Sequence, residues 1–278
     1  MFRKHLSVLL GVFLLLAFGA CAKKEEVAET TETAAPAEPE YKPGEMVLIP
    51  AGEFIMGSSE NKGGPAAPQQ KLNLPAFWID KYEATNSEFL DFAIKTGYQG
   101  EGAKEGKDWR QFFTPDKAKY PVVYITWNDA EAYCKAQGKR LPTEQEWEKA
   151  ARGSDGRRYP WGEKWDPMQS NTYEAGMRQP IRVGTYPDAS PYGARDMMGN
   201  VQEWVGSWYQ PYKGSTRKDQ FFGERYRVVR GGGSRMYGSR GHIWDRSAYV
   251  PNSLYDFGCR CAKDATPEEG GKAAPAAK

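Results

Sequence analysis

The sequence predicts an α+β fold made of small mixed sheets, a few short helices and long ordered loops. Two observations support this class. The chain has 30 Gly and 19 Pro among 278 residues, which implies many turns and little long regular structure. Its apolar runs are short and bounded by Gly, Pro or Asn, a pattern typical of short strands. The body from 44 to 263 is long enough to bury its own core, so we expect one domain there.

Strands are predicted wherever a short apolar run lies between turn residues. The first covers Met46–Ile49, the second Phe77–Ile79 and a later one Arg227–Val229. These runs are too short for helices but long enough to cross a small sheet. We therefore expect several short strands separated by long loops.

Helices are predicted from capping signals. A Thr followed three residues later by a Glu can satisfy two free backbone N–H groups at a helix start, and this occurs at Thr85–Glu88 and Thr143–Glu146. A third helix is expected to begin near Thr126 or Asn128 and to end at Gly138. Each of the three carries apolar residues at helical spacing, so each should bury one face.

The N-terminus carries an export signal over residues 1–20. A short basic start precedes an apolar stretch at 6–18 that is too short to span a bilayer. Gly19, Ala20 and Cys21 then resemble a bacterial lipobox, which predicts lipidation of Cys21 and a membrane anchor. Ala22 after the cysteine favours the outer membrane in a cell that has one. The alternative is ordinary cleavage, which would leave Cys21 as a free thiol.

The two ends of the chain differ in composition from the body. Residues 21–43 are rich in Ala, Glu, Thr and Pro, so we predict a disordered tether; 264–278 has the same character and is predicted to be a disordered tail. Across the whole chain, 38 basic residues nearly balance 36 acidic ones. Such a chain lacks the positive field that nucleic-acid binding requires, so no nucleic-acid partner is expected.

Six motifs occur in a fixed order along the body. They are MVLIPAGEFIMGS at 46–58, GKRLPTEQEWEKAARG at 138–153, YPWG at 159–162, SPYG at 190–193, GNVQEW at 199–204 and RGGGS at 230–234. In this order they closely resemble the formylglycine-generating enzyme (sulfatase-modifying factor) family, whose fold is a variant of the C-type lectin fold. The resemblance covers 44–263 and implies that fold for this chain.

The resemblance also implies where catalysis would take place. Active members have two cysteines, separated by four residues after the Gly-Gly-Ser motif, which bind copper as thiolates and activate oxygen to oxidise a substrate cysteine. In this chain the two places fall at Tyr237 and His242, so no copper site is expected. Cys259 lies too far along, and oxidation by the family mechanism would require it to be carried into the groove.

Other chemistries are poorly supported. The family's iron-dependent branch needs several histidines, and this chain has two, of which His5 lies in the predicted signal. His242 with Ser234 could form a hydrolase pair, but no Gly-x-Ser-x-Gly pattern accompanies it. The glycines at 231–233 are not followed by Gly-Lys-Ser/Thr, so they predict a turn rather than a phosphate loop.

The resemblance places a set of arginine and aromatic residues along the substrate groove. Such residues suit an anionic or peptide ligand, although salt bridges on a loop-rich surface are an equal alternative. Our leading hypothesis is a non-oxidising binding or assembly module of the cell envelope, with a protein, peptide or glycan partner. The alternative is an enzyme that modifies a protein side chain without the usual cysteines. The candidate groove residues are Ser234, Tyr237, Arg240, His242 and Arg246.

The resemblance further implies a disulfide and a calcium site. Cys134 is expected to pair with Cys261, the alternative being two buried thiols, while Cys259 would be a core filler or a competing thiol.

Calcium would be structural, held by oxygen ligands in one loop, and a second site would begin at Asn171. The alternative is that the acids hydrogen-bond loop amides. The expected ligands are Asp196, Gly199, Val201 and Glu203.

Overall fold

A computed structural model describes residues 41–60, 62–102, 106 and 108–271. The predicted signal, Cys21, most of the tether and the end of the tail lie outside these ranges. Within them, no helix combines the length and apolar character needed to cross a membrane.

The described residues form nine strands and four α-helices. The helices are α1 (Asn86–Thr96), α2 (Trp127–Ala136), α3 (Glu144–Arg152) and α4 (Pro267–Gly270). The strands are β1 (Met46–Ile49), β2 (Gly52–Met56), β3 (Gln70–Leu74), β4 (Phe77–Asp80), β5 (Gln202–Trp208), β6 (Arg227–Arg230), β7 (Ser247–Tyr249), β8 (Phe257–Cys259) and β9 (Ala262–Asp264).

The strands build three small sheets. The order in the first is β1-β4-β9, the second is the β2-β3 hairpin, and the third has the order β7-β6-β5-β8. In the third sheet β5 runs antiparallel to β6 but parallel to β8. The predicted α+β class with small mixed sheets is therefore confirmed, and the predicted strand starting at Met46 has the predicted bounds.

The capping signals are confirmed as helix starts. Thr85, Thr126 and Thr143 each accept a hydrogen bond from the backbone N–H three residues on, and the acid at that position reaches back to the cap. Thr126, rather than Asn128, is thus the cap of α2. A fourth capping box at Thr266 starts α4, so the part of the predicted tail up to residue 271 contains a helical turn. Its order follows from local hydrogen bonds that composition does not reveal.

The charged face of α3 is buried together with its apolar face. Trp147 and Ala150 pack into one hydrophobic cluster, while Glu144, Glu148 and Arg152 are also shielded from solvent. Buried charges require partners. Glu148 pairs with Arg152 of the same helix and with Arg230 of β6, and Glu144 pairs with Arg230 and Arg246, so α3 is linked electrostatically to the third sheet and to the loop after β6.

A disulfide joins α2 to the segment between β8 and β9. Cys134 and Cys261 are bonded, with their Cα atoms 5.5 Å apart, which confirms the pairing implied by the resemblance. Cys259 is a free, fully buried thiol in the same hydrophobic cluster, and burial raises its pKa. This is the environment of a core filler, and it keeps Cys259 away from the surface groove.

Candidate functional site

A shallow cleft lies where the loop after β6 folds over the loop before β5. Its walls come from 172, 198–199, 202, 229–233, 236–238, 241–242, 245 and 247, and it encloses only about 50 Å³. Gly238 is required here, because a Cβ at this position would lie 2.0 Å from the Trp165 ring. A cleft this shallow suits contact with a surface or an extended segment better than enclosure of a small molecule.

The two positions to which the resemblance assigns the cysteines of active members carry rings in this chain. Tyr237 is 47% exposed, and its ring centroid lies 4.3 Å from that of Tyr173. The His242 ring stacks on Trp244 at 4.4 Å. Its Nδ1 atom lies 3.8 Å from Oδ2 of Asp245.

This donor set does not fit monovalent copper, which prefers soft sulfur ligands. A phenol is a hard donor, and the imidazole of His242 is held against an indole ring. Among residues 41–60, 62–102, 106 and 108–271, no group of three or more His, Cys, Asp or Glu side chains is arranged to hold a metal ion. The described groove therefore offers no thiolate route for oxygen activation.

Two arginines and two tyrosines form a continuous stack at the edge of the cleft, which we call the cation–aromatic stack. The Arg178 guanidinium lies 4.3 Å from the Tyr173 ring centroid. Tyr173 packs on Tyr237, and the Arg240 guanidinium lies 5.2 Å from the Tyr237 ring. Both arginines are exposed. The stack thus presents two cations at fixed positions with flat rings between them.

Glu174 holds this stack in place. Its carboxylate accepts hydrogen bonds from the backbone N–H groups of Gly238 at 3.0 Å and Ser239 at 2.9 Å. Partial burial opposes ionisation, but the hydrogen bonds from Ser239 and Gly238 prevail and hold the pKa of Glu174 at about 2. Glu174 directly follows Tyr173 in the sequence. Its hydrogen bonds therefore hold the turn that carries Arg240 next to the segment that carries the Tyr173 ring.

Only some of the five predicted groove residues lie at the cleft. Tyr237 and His242 line the cleft, and Arg240 lies over Tyr237 at its edge. Ser234 is fully buried, and its backbone N–H donates to the Asn200 carbonyl at 3.0 Å. A buried serine cannot meet a substrate in this arrangement.

Arg246 lies outside the cleft, in contrast to the expectation from the resemblance. It is buried, its Nη2 donates to Oε2 of Glu144 at 2.7 Å, and its guanidinium packs between Tyr209 and Tyr212. The buried carboxylate of Glu144 needs a cation, and this requirement draws Arg246 inward. Its role in the structure is to support α3.

The residues predicted to bind calcium are engaged with other protein groups. Both carboxylate oxygens of Glu203 accept hydrogen bonds from Arg260, at 2.7 and 2.8 Å. Asp196 accepts from the Gly184 N–H at 2.7 Å, and the Asn171 amide donates to Asn200 at 3.0 Å. In this arrangement Glu203 does not fit as a calcium ligand. The backbone carbonyls of Gly199 and Val201 remain part of the same loop, and calcium binding there stays a prediction that requires Glu203 to leave Arg260.

Arg260 is the centre of a buried cluster of carboxylates that sequence reasoning missed. Burial, followed by repulsion from Asp196, raises the pKa of Glu83 and of Asp188 well above the usual range. Burial likewise raises the pKa of Asp196 to about 6. Arg260, which pairs with Glu203, and the neighbouring Arg195 therefore have to balance a cluster with more acids than cations. No local sequence pattern marks this arrangement, because its members come from distant segments.

The fold defines a domain of the formylglycine-generating-enzyme variant of the C-type lectin fold. The chain matches the family described as sulfatase-modifying factor enzyme 1-like domain over residues 31–265, and it belongs to that family.

Relatives with quite different activities share this domain. The chain is 32% identical to a Mus musculus protein named inactive C-alpha-formylglycine-generating enzyme 2, over 79% of this chain and 86% of that protein. It is equally 32% identical to the formylglycine-generating enzyme of Streptomyces coelicolor, over 79% of this chain and 89% of the relative. The solved structure of PvdO from Pseudomonas aeruginosa matches with a TM-score of 0.63 and 25% identity, covering 79% of this chain and 94% of that one. Family membership alone therefore does not decide whether this chain is active.

Proposed function

We propose that the domain is a non-oxidising binding module of the cell envelope, held at a membrane through lipidated Cys21. It recognises an acidic segment of a partner protein at the cation–aromatic stack. The observation that carries this proposal is the exposed, fixed array of Arg178, Tyr173, Tyr237 and Arg240 at the edge of the cleft.

The charges of the stack are available to a ligand. Across the described ranges, Arg178, Arg235 and Arg240 form no salt bridge with any carboxylate, and all three are exposed. Guanidinium groups bind carboxylates through paired N–H donors, and a ring that holds the guanidinium in place reduces the entropy lost on binding. Two exposed methionines, Met177 and Met236, lie on the same two segments and offer apolar contact to the partner.

The non-oxidising part of the proposal rests on the donors at 237 and 242. A phenol and a stacked imidazole stand in place of the thiolate pair, and the free thiol in the described part of the chain, that of Cys259, is buried in the core. The alternative, modification of a side chain by another site, would have to proceed without a metal held by a cluster of His, Cys, Asp or Glu side chains in the described residues.

We expect the purified domain to form no aldehyde on a sulfatase-type cysteine peptide in the presence of copper and oxygen, because the groove lacks thiolate ligands. Mass spectrometry of the peptide would measure this, with an active family member as the positive control. The double variant Tyr237→Cys/His242→Cys should bind monovalent copper more tightly than the unaltered protein. Aldehyde formation by the unaltered protein would refute the non-oxidising assignment.

We expect the double variant Arg178→Ala/Arg240→Ala to bind a fluorescein-labelled hexaglutamate peptide about fivefold or more weakly, because both cations of the stack are lost. Fluorescence anisotropy at low and high salt would measure the change, with hexalysine as the peptide control. The matched protein control is Arg225→Ala, which removes an exposed arginine over Tyr226 outside the cleft. Equal affinity for all three proteins would place recognition elsewhere.

Replacing Cys21 with Ala should release the protein from the membrane fraction, because the anchor requires the cysteine thiol. Cell fractionation followed by immunoblotting would show the shift, and mass spectrometry of the mature N-terminus would show the lipid directly. Cys259→Ala is the matched control, since it removes a different cysteine. If the Cys21→Ala protein stayed in the membrane fraction, the anchor would have to lie elsewhere.

A further inference from the structure

A second cavity, distinct from the cleft, lies between the β2-β3 hairpin, the start of α3 and the end of β5. It has a volume of about 570 Å³, and none of its lining residues lines the cleft. Ligand pockets in proteins usually measure about 300–1,000 Å³, so this cavity has room for a small ligand. We call it the amide cavity, after the side chains of Gln70, Gln145 and Gln210 in its wall.

The three glutamines supply hydrogen-bonding capacity that the protein leaves unused. None of their side chains makes a hydrogen bond with another residue in the described part of the chain; Gln210 is exposed and takes part through its backbone carbonyl, which accepts from Nη1 of Arg246 at 2.8 Å. Each amide offers two N–H donors and one carbonyl acceptor. Such groups match hydroxyls, which also donate and accept.

The charges in the wall cancel. Glu144 is paired with Arg246 through a 2.7 Å contact, and Lys213 carries the opposite charge to Glu224. An anionic or a cationic ligand would therefore gain no net attraction here. This differs from the cleft, where the exposed cations lack acidic partners.

Trp208 is one of the residues that line the cavity, and its ring is held in place by a cation. The Arg227 guanidinium lies 3.4 Å from the Trp208 ring centroid and 3.7 Å from that of Trp127. The base of the cavity is also fixed, because the Glu144 N–H donates to Ser207 Oγ at 2.9 Å. A held aromatic plane bordered by amides suits a ligand with an apolar face and a rim of hydroxyls.

We propose that the amide cavity is a binding site for a neutral oligosaccharide. A sugar ring packs its C–H face on Trp208, and its hydroxyls exchange hydrogen bonds with the amides of Gln70, Gln145 and Gln210. The site is independent of the acidic-peptide site at the cation–aromatic stack, because the two share no residue.

An array of neutral and acidic oligosaccharides, probed with the labelled domain, tests this inference. We expect neutral oligosaccharides to bind, and the strongest of them to quench tryptophan fluorescence and give a measurable heat in titration calorimetry. The double variant Gln145→Ala/Gln210→Ala should bind it about tenfold more weakly, since two hydrogen-bonding groups are lost. Circular dichroism would confirm that this variant is folded.

Two further variants test whether the Trp208 ring contributes to sugar binding and whether the amide cavity is independent of the cleft. Trp208→Phe should weaken sugar binding while retaining a ring to cover Arg227. Arg240→Ala should leave sugar binding unchanged, since Arg240 belongs to the cleft. The inference is overturned if no neutral oligosaccharide binds, if only acidic ones bind, or if the glutamine variant binds as tightly as the unaltered protein.

Discussion

Replacing Arg260 with Met is expected to lower the free energy of unfolding by about 3–5 kcal/mol, the usual effect of removing one partner of a buried ion pair. Arg260 is fully buried, and its guanidinium donates to both oxygens of Glu203. It also donates to the backbone carbonyls of Asp80, Lys81 and Arg195. The variant would leave Glu203 without its cation beside other buried acids, and these carbonyls would lose the guanidinium donors, although that of Lys81 keeps the Arg195 N–H.

Urea unfolding, monitored by tryptophan fluorescence, would measure the decrease in the free energy of unfolding. A matched control is Lys135→Met, which breaks the exposed pair with Glu131 one helical turn away; such pairs contribute about 0.3–0.5 kcal/mol. The double variant Arg260→Met/Glu203→Gln should be more stable than Arg260→Met alone, because it also removes the unpaired charge. If Arg260→Met unfolded at the urea concentration of the control, the buried pair would contribute little.

Removing the disulfide with Cys134→Ala/Cys261→Ala is expected to cost about 5 kcal/mol in the chain-entropy model, since the bond closes a loop across a sequence separation of 127. The unfolded chain gains that conformational freedom when the bond is absent. Thermal and urea unfolding under non-reducing conditions would measure the effect. Non-reducing peptide mapping of the unaltered protein should recover the linked pair.

The matched control for the disulfide is Cys259→Ala, which removes a buried sulfur from the same hydrophobic cluster without opening the loop. Its loss of stability should be far smaller than that of the double variant. Equal losses in the two proteins would mean that packing around the sulfur atoms, rather than the covalent link, provides the stability.

The starts of the helices could be predicted because capping is local. The Thr at each cap and the acid three residues later meet within one helical turn, so their contact is nearly independent of the rest of the chain. The same holds for Thr266, whose box lies in a segment that composition alone marks as unstructured. Short strands were likewise predictable, since turn residues delimit them on both sides.

The candidate site was only partly predictable. The motifs located the loop after β6 and the replacement of both thiols by Tyr237 and His242. They did not reveal that Glu174, 64 residues away from Gly238, fixes the turn. Nor did they reveal that Arg246 turns away from the cleft towards Glu144, 102 residues away.

By itself, the sequence determined the family, the α+β class, the helix caps and the absence of thiols from the groove, because these follow from residue identity and contacts over a few positions. Only the tertiary structure decided which charges are paired. Arg246 and Arg260 form salt bridges with buried acids. Arg178 and Arg240, in contrast, are exposed and pack on tyrosine rings. The physical reason is burial: an acid taken out of water needs a cation, and which arginine lies near enough depends on contacts between distant segments.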